Sequence, residues 1–526
     1  MKVAVVGSGV SGLAATWLLN EYSDHEVHLF EADSRPGGHA HTVKFKKDKL
    51  SPEVDVDTGF IVFNPSTYPN FLRFLALYPS LKSAIQPTDM TFSVSRDGGA
   101  FEWAGNANGV RAFFTQYRRW FEPRMWRLLY DIFRFNACAR RLVMDERRTR
   151  KNRVRGREDG DEISVGEYLR REGYSDTFRD DYLLPMTAAI WSTPADKCAL
   201  DFPAKTLIRF LNNHHLLQLT GKPSWLTLRG GSRVYVNQIF SALPSSQLHL
   251  NMPIHGVSTY PSSATGHKAR LHLSSSAVEE FDHVILACHS DTTLRLLRYG
   301  EVTEEEERIL GAFEWNRNEA VLHSDTRLMP KDRVAWSCWN YLTLSGDSKR
   351  EDDWMNALQH IPEHKHGPVL VTLNPPFEPR AESVVGRYAY DHPVLDAKAL
   401  RAQREIHTIQ NTRGISYAGA WLKYGFHEDG FTAGLRAALS VGDSTRTGGD
   451  GEWSEGKDTR TVRPPFVVRE ADHDPRPVWY ASVFDLVEIT GLRSVVGHVA
   501  GIVLVLMGMG VGLAVWVVEA LLRMTR

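Results

Sequence analysis

The sequence is short of cysteine, of net charge and of any apolar run at its start. Its four cysteines, Cys138, Cys198, Cys288 and Cys338, are scattered through 526 residues with no CxxC pair. Neither a disulfide framework nor a thiolate zinc cluster can be built from that spacing, and a reducing compartment is the default. Lys plus Arg total 62 against 63 for Asp plus Glu, so there is no basic bias toward nucleic acid, and no nucleic-acid partner is expected. Met1-Lys2 passes straight into an apolar strand, leaving no room for a cleavable signal. His214 and His215 are adjacent, point in different directions and have no acid cluster at ligand spacing; no metal is expected. No internal repeat is present.

What remains is an ordinary folded composition, 42% hydrophobic and 24% charged, in a chain long enough for about two or three domains. Lys2 to Val6 reads as a buried strand, Ser11 to Glu21 as an Ala- and Leu-rich helix and Val27 to Phe30 as a second strand, together a β-α-β unit of a parallel sheet. Residues 60 to 150 mix aromatics with basic residues at helical spacing, for instance Tyr117, Trp120, Trp126, Leu129, Ile132 and Phe133, and read as helices of a second, substrate-side region. The run Arg147 to Asp159 is either a solvated loop or a patch against anionic lipid. Ser164, with Glu167 three residues on, predicts a helix start. Strand patterns return between Leu248 and Ala287. Residues 441–478 are rich in Gly, Pro and charge and read as a linker. Val495 to Leu522 is then nearly all apolar, enough to cross a hydrocarbon layer of about 30 Å as a helix; a buried core helix is the bland alternative. Gly497-xxx-Gly501 and Gly508-xxx-Gly512 could also pair two copies as a homodimer.

Gly7-Ser8-Gly9-Val10-Ser11-Gly12 is GxGxxG between the first strand and the first helix. The first glycine serves the tight turn, the second a close backbone approach to a pyrophosphate, and the third helix packing on the strand. Phosphate is favoured at the N-terminus of that helix, by Val10 and Ser11. Glu31 ends the second strand, where a carboxylate can accept both hydroxyls of an adenosine ribose. Strand, helix, acid and position agree on a dinucleotide site.

The continuation Glu31-Ala32-Asp33-Ser34-Arg35-Pro36-Gly37-Gly38-His39 resembles the doublet-glycine motif of the flavin amine oxidase superfamily, which includes monoamine oxidases, protoporphyrinogen oxidases and phytoene desaturases. The resemblance implies FAD as cofactor. It departs from the family at Asp33 and His39, where arginine is usual. Asp57-Thr58-Gly59-Phe60 is similar to the segment that passes near the flavin ring, and Gly230-Gly231-Ser232 with the strand around Val257 to the element that meets the adenine end. Phe281 to Ala287 is similar to a further family strand. Tyr417-Ala418-Gly419-Ala420-Trp421, leading to Gly425-Phe426-His427-Glu428-Asp429-Gly430-Phe431, resembles the closing motif, whose helix N-terminus points at the isoalloxazine; Ala420 stands where an acid is frequent. Cofactor contacts are therefore implied for Gly7, Gly9, Val10, Ser11, Gly12, Glu31, Ala32, Gly37, Gly38, His39, Thr58, Gly59, Val257, Gly419, Asp429, Gly430 and Phe431. More narrowly, PMTAAIWSTP, NHHLL, LTLRGGSRVYV, VLHSD, TLNPP and GFHEDGF resemble the predicted NAD/FAD-binding oxidoreductases associated with cyclopropane-fatty-acid synthases.

The fold class implied is α/β: a Rossmann-like FAD-binding domain interleaved with an α+β substrate domain, plus a C-terminal transmembrane helix. Its FAD-binding segments are 1–60, 226–300 and 411–440, its substrate side 61–225 (mainly helical) and 301–410 (strand-rich), its linker 441–480 and its span 495–522. The activity implied is hydride transfer from a substrate C–H bond to flavin N5. His427, Glu428 and Asp429 are the catalytic candidates, with helix capping the alternative for the two acids. Trp191, Trp225 and Trp421 are candidates for an apolar wall. Three readings stay open: an oxidase or desaturase on a small, apolar, lipid-like substrate, an amine oxidase on a soluble amine, and a weakly catalytic flavoprotein scaffold. The expected location is an intracellular membrane, reached by a single-pass C-terminal anchor with the catalytic domain in the cytosol.

Overall fold

The computed structural model of the chain describes residues 1–144, 163–191, 200–218, 223–262, 266–273, 277–343, 350–442, 462–471, 473 and 475–524; the charge run at 147–159 lies outside them. Its centre is a five-stranded parallel sheet of β1 (Lys2–Val6), β2 (Glu26–Phe30), β3 (Leu248–His249), β4 (His283–Leu286) and β5 (Ile415–Tyr417), in the spatial order β5-β4-β1-β2-β3. Val3 lies opposite both Val27 and His283, with all pairings parallel. Val3, Ala4 and Val5 are buried without remainder, because a central strand of a parallel sheet is covered on both faces and must be apolar throughout.

Two helices lie behind this sheet. The first, α1 (Val10–Tyr22), follows β1 directly. Between β2 and the remaining strands come α2 (Pro69–Leu77) and α3 (Pro123–Cys138), each opened by a proline whose missing N–H costs a helix start nothing. The second helix behind the sheet, α4 (His427–Ser440), crosses α1 at a glycine: a Cβ on Gly434 would stand 2.0 Å from the Ser11 carbonyl oxygen. A three-stranded antiparallel sheet, Ile254–Ser262, Gly266–Leu273 and Val278–Phe281, covers the opposite face.

The second layer is a seven-stranded sheet in the order Val384–Ala389, Glu319–His323, Leu370–Leu373, Arg350–Trp354, Trp339–Thr343, Phe92–Arg96, Phe101–Gly105. Only the pairing of Trp339–Thr343 with Phe92–Arg96 is parallel. One end of it carries a helical block in which α3 packs with Val165–Arg171 and Ala204–Asn213. Ser164 caps the first of these, its Oγ accepting from the Glu167 N–H at 3.2 Å.

The close of the Gly-, Pro- and charge-rich stretch is docked onto the domain. Val462 is buried in the core around α1, Phe466 stacks on Trp17 at 6.0 Å, and the Arg463 N–H donates to the Tyr22 carbonyl. Three apolar residues among the polar ones, Val462, Phe466 and Val468, supply the contact. This strap leads to α5 (Ala481–Ile489) and then α6 (Leu492–Met524). Over Leu492–Gly510, α6 is long and apolar enough to cross a membrane by length and composition, and none of that stretch is buried. Gly501 faces Pro123 and Gly508 faces Phe121 of the same chain.

Replacing Gly434 with valine forces α1 and α4 apart against main chain, where no side-chain rotation can relieve the overlap. A loss of roughly 3 kcal/mol or more in unfolding free energy is expected, read by denaturant titration; an unchanged midpoint would show that the two helices do not cross this closely.

Candidate active site

The carboxyl ends of β1, β4 and β5 deliver three loops to one crevice: Gly7–Gly9, Cys288-His289 and Gly419-Ala420. Crevices at this end of a parallel sheet are where such folds bind ligands. Gly7 turns the chain with φ +102°, and a Cβ on Gly12 would stand 1.8 Å from the Gly7 oxygen, so helix and turn are in main-chain contact. Gly9 differs: a Cβ there would meet nothing within 4 Å. No side chain caps α1, so the N–H groups of Val10, Ser11 and Gly12, which have no intrahelical acceptor, face a clear approach beside Gly9.

Glu31 is held at the edge of that approach. Its Oε2 accepts from the Ser8 N–H (2.9 Å) and hydroxyl (2.5 Å), and its Oε1 from the Asp33 N–H (2.9 Å). A carboxylate has about four lone-pair directions and three are taken, so one on Oε1 is left for a ribose hydroxyl. Ala32 beside it is exposed. Gly37 (φ +110°) and Gly38 (φ +56°) bring the next loop onto the first: a Cβ on Gly38 would stand 3.1 Å from the Gly9 Cα. Open space, free amides and a fixed acid together fit the adenosine diphosphate half of FAD.

Beyond them, Asp57 ties the next segments together. It accepts from the Thr42 hydroxyl (2.6 Å), the Ser232 N–H (2.9 Å) and hydroxyl (2.8 Å), and Gln359 Nε2 (2.9 Å). Burial still pushes its carboxyl up to about 6. Thr58 meets the Tyr390 hydroxyl at 2.6 Å, and Gly59 lies under the His39 carbonyl. Val257 is buried in the cluster that contains Val6 and Phe30. Gly419 makes room for the Trp421 indole, whose N–H donates to the Cys288 carbonyl. Trp421 is thus a core residue, Trp225 is half-buried on a strand paired with Ile85–Thr88, and the Trp191 side chain lies outside the description.

The N-terminal turn of α4 enters the same crevice, with Gly430 so close to α1 that a Cβ would stand 2.6 Å from Val10 Cγ1. The two acids of this turn, Glu428 buried and Asp429 half-buried, are both engaged by main chain. Glu428 accepts from the Asn70 N–H (2.8 Å) and the Phe71 N–H (3.0 Å), capping α2 from outside. Asp429 accepts from the Phe426 N–H (3.0 Å) and the Tyr424 N–H (3.2 Å). Burial raises Glu428 to about 8 and Asp429 to about 6. Phe431 is wholly inside the core against Phe71 and Phe74, so only its main chain can meet a cofactor. His427 is stacked on Phe60 at 3.6 Å, nearly parallel, with Nε2 2.9 Å from the Tyr235 hydroxyl. Burial lowers its imidazole to about 3, leaving it neutral.

The structure adds a group that sequence reading missed. His39 meets His392 (5.5 Å between ring centroids), His289 (6.0 Å) and Tyr390 (4.9 Å), and His289 is stacked on Trp315 at 3.9 Å. The three imidazoles keep partial solvent access yet are hemmed in by protein, as side chains lining a cleft are. Burial pushes all three down, His392 to about 4, and their mutual proximity adds to this for His39 and His392. No group of three metal-ligating residues is formed among the described residues. Only His39 adjoins a recognisable motif; His289 and His392 arrive on separate segments.

A sequence profile of the family described as flavin containing amine oxidoreductase matches residues 10–309. Tryptophan 2-monooxygenase from Allorhizobium ampelinum is 30% identical over 121 residues, 23% of this chain and 16% of that protein, so the match spans about a sixth of the relative's length. The fold is similar to that of the CLA-producing fatty acid isomerase from P. acnes (TM-score 0.55, 13% identity) and of cyclohexylamine oxidase from Brevibacterium oxydans (TM-score 0.55, 13% identity), each over 84% of this chain and 98% of the other.

Two outcomes follow. Gly9→Val should fold with an unchanged melting temperature as apoprotein but purify without bound dinucleotide, because its side chain fills the clear approach rather than any protein contact; retained cofactor would place the phosphates elsewhere. For Glu428, the native state keeps its proton up to about pH 8 whereas the unfolded chain releases it near 4.5, so this group makes stability fall as pH rises through that window. Glu428→Gln removes the titration at the constant cost of one acceptor, and its unfolding free energy relative to the parent should climb steadily from pH 5 to 8. A flat difference would mean that Glu428 is ionised throughout.

Proposed function

We propose, from the premise that this chain belongs to the flavin-containing amine oxidoreductase family and is an FAD-dependent oxidoreductase, that it is a membrane-anchored oxidase or desaturase of an apolar, lipid-like substrate. Residues 1–60, 226–300 and 411–440 are its flavin-binding part, and α6 anchors it to an intracellular membrane. The observation that carries the reading is the chemistry of the crevice. Its acids Asp57, Glu428 and Asp429 are spent on amides and hydroxyls, and the wall that remains is neutral histidine and aromatic. An ammonium substrate entering such a site would be desolvated without a counter-charge, whereas an alkyl chain has nothing to lose there.

Glu31 and the amides of Val10, Ser11 and Gly12 hold the adenosine diphosphate portion, and Gly37, Gly38, His39, Thr58, Gly59, Val257 and Gly419 line its path. Gly430 and the main chain of Phe431 sit at the α4 N-terminus, whose dipole favours negative charge on a reduced ring. FAD supplies the hydride acceptor. The chain's own work is positional. Glu428 and Asp429 fix the first turn of α4, and that turn aims His427. His427, stacked on Phe60 and held by its hydrogen bond to the buried Tyr235, orients the substrate carbon and keeps water away from it. The narrower resemblance to oxidoreductases associated with cyclopropane-fatty-acid synthases supports an acyl chain as substrate. Glycines of α6 that do not face Pro123 or Phe121 leave a homodimer contact open to it.

The short similarity to a tryptophan monooxygenase favours a second reading, oxidation at a carbon bearing an amino group. The two separate under anaerobic titration of the full chain in lipid nanodiscs. Bleaching of the visible flavin band by membrane acyl lipid, with a new double bond in the extracted product, is expected; bleaching by soluble amines alone, with peroxide released in air, would overturn the lipid reading. His427→Gln should keep its flavin spectrum and lose turnover by about 10- to 100-fold, measured in the same assay.

A further inference from the structure

At the diphosphate end of the flavin crevice the side chains that stand beside the cofactor's charge are imidazoles. Two loops border the Gly7–Gly9 turn: a Cβ on Gly38 would stand 3.1 Å from the Gly9 Cα, and a Cβ on Gly7 would stand 3.0 Å from the Ala287 carbonyl oxygen. His39 follows the first contact directly, and His289 lies two residues beyond the second. The two rings meet edge to face, 6.0 Å between centroids. Neither imidazole makes a hydrogen bond among the described residues, and neither is sealed from solvent.

The groups around this pair leave it to do the titrating. Arg35 acts on His39 from its own loop, but it is bound to the Gly38 carbonyl (2.9 Å) and stands 3.7 Å from Asp33. His392, 5.5 Å from His39, has its Nδ1 2.8 Å from Asn318 Nδ2. The Asn318 Oδ1 already accepts from Asn374, so this amide donates to the ring and holds His392 as a neutral acceptor. His427 is neutral as well, and Tyr390 meets His39 with its ring. Burial, helped by the neighbouring rings, pushes His39 well down; burial lowers His289 against the opposite pull of Asp291 and Asp391. Two imidazoles with unused nitrogens therefore face the crevice without charge.

A dinucleotide brings an anionic diphosphate to this spot. The start of α1 answers it with about half a positive charge, and the Glu31 carboxylate nearby works the other way. An anion beside a buried imidazole favours its charged form, and imidazole is the side chain poised to make that change near neutral pH. Resting on the flavin reading of this crevice, we propose that the His39–His289 pair takes up a proton from solvent as FAD binds, so that imidazolium supplies the counter-charge to the diphosphate. The bound state then holds its proton to higher pH than the free protein. Affinity is fully present below the window between the two and is lost as pH rises through it, by up to about ten-fold per pH unit for one proton. The diphosphate matches the new charge, so the substrate wall stays neutral. Asp57, Asp429 and Glu428 change protonation in the same range, and variants separate their contribution.

The test titrates FAD into the full detergent-solubilised chain, freed of flavin, by calorimetry at about pH 6 in two buffers of unlike ionisation enthalpy, so that the difference in heat counts protons. Uptake of about half to one proton per FAD is expected, with affinity falling toward ten-fold per pH unit between about pH 5 and 7. His39→Arg, which puts a permanent charge where a titrating one stood, should bind FAD with at least two-fold less uptake and a flatter pH profile. His289→Asn should also lower the uptake, and Glu428→Gln should keep it. Equal heats in the two buffers for the parent chain, uptake unchanged in both histidine variants, or uptake lost only in Glu428→Gln would overturn the proton coupling while leaving flavin binding intact. A parent chain that binds no FAD at any pH would overturn the flavin reading itself, and the coupling with it.

Discussion

The contact between Gly434 of α4 and the Ser11 carbonyl of α1 is the constraint on which the remaining arrangement depends. A glycine at this crossing lets two helices touch main chain to main chain, and that closeness puts both N-termini at the same end of the parallel sheet. One helix start is spaced from the other by the contacts of Gly430 with Val10 and Ser11. Two sets of unsatisfied amides and two positive dipole ends therefore flank a single crevice. A wider crossing would leave two separate weak anion sites in place of one site long enough for an extended dinucleotide.

The acids of this region show how the crevice can be polar in sequence and neutral in chemistry. Glu428 and Asp429 stand in the turn that enters the crevice, but their oxygens face the N–H groups of Asn70, Phe71, Tyr424 and Phe426. Asp57 likewise clamps the Gly231-Ser232 turn to its neighbouring hairpin. Desolvation lifts all three carboxyls toward neutrality. What remains facing the cleft is a set of imidazoles that burial keeps uncharged, and aromatic rings.

Legibility in the sequence followed locality. The glycines of the first loop, Glu31 after the second strand and the Ser164–Glu167 cap each do their work within a few residues or one β-α-β unit, so spacing alone reveals them. Capping by Asp429 was open as an alternative for the same reason, since the N–H groups that donate to it lie three and five residues away. Glu428 was harder, because the helix it caps begins at Pro69. The His39, His289 and His392 group could not be read at all: its members ride on three unrelated segments and meet only when β1 and β4 pair and the second layer folds over them.

The strap that follows α4 redraws where the folded unit stops. Asn70 donates its amide to the Arg469 carbonyl and accepts from the Arg469 N–H, while its own N–H is held by Glu428. Val462 and Phe466 fill a seat beside Trp17. A protein cut after Ser440 would therefore lose more than a tail: it would bare an apolar socket in the core around α1 and strip one partner from Asn70, which α4 holds through Glu428. The strap through Arg469 belongs to the same folded body as α1, α2 and α4.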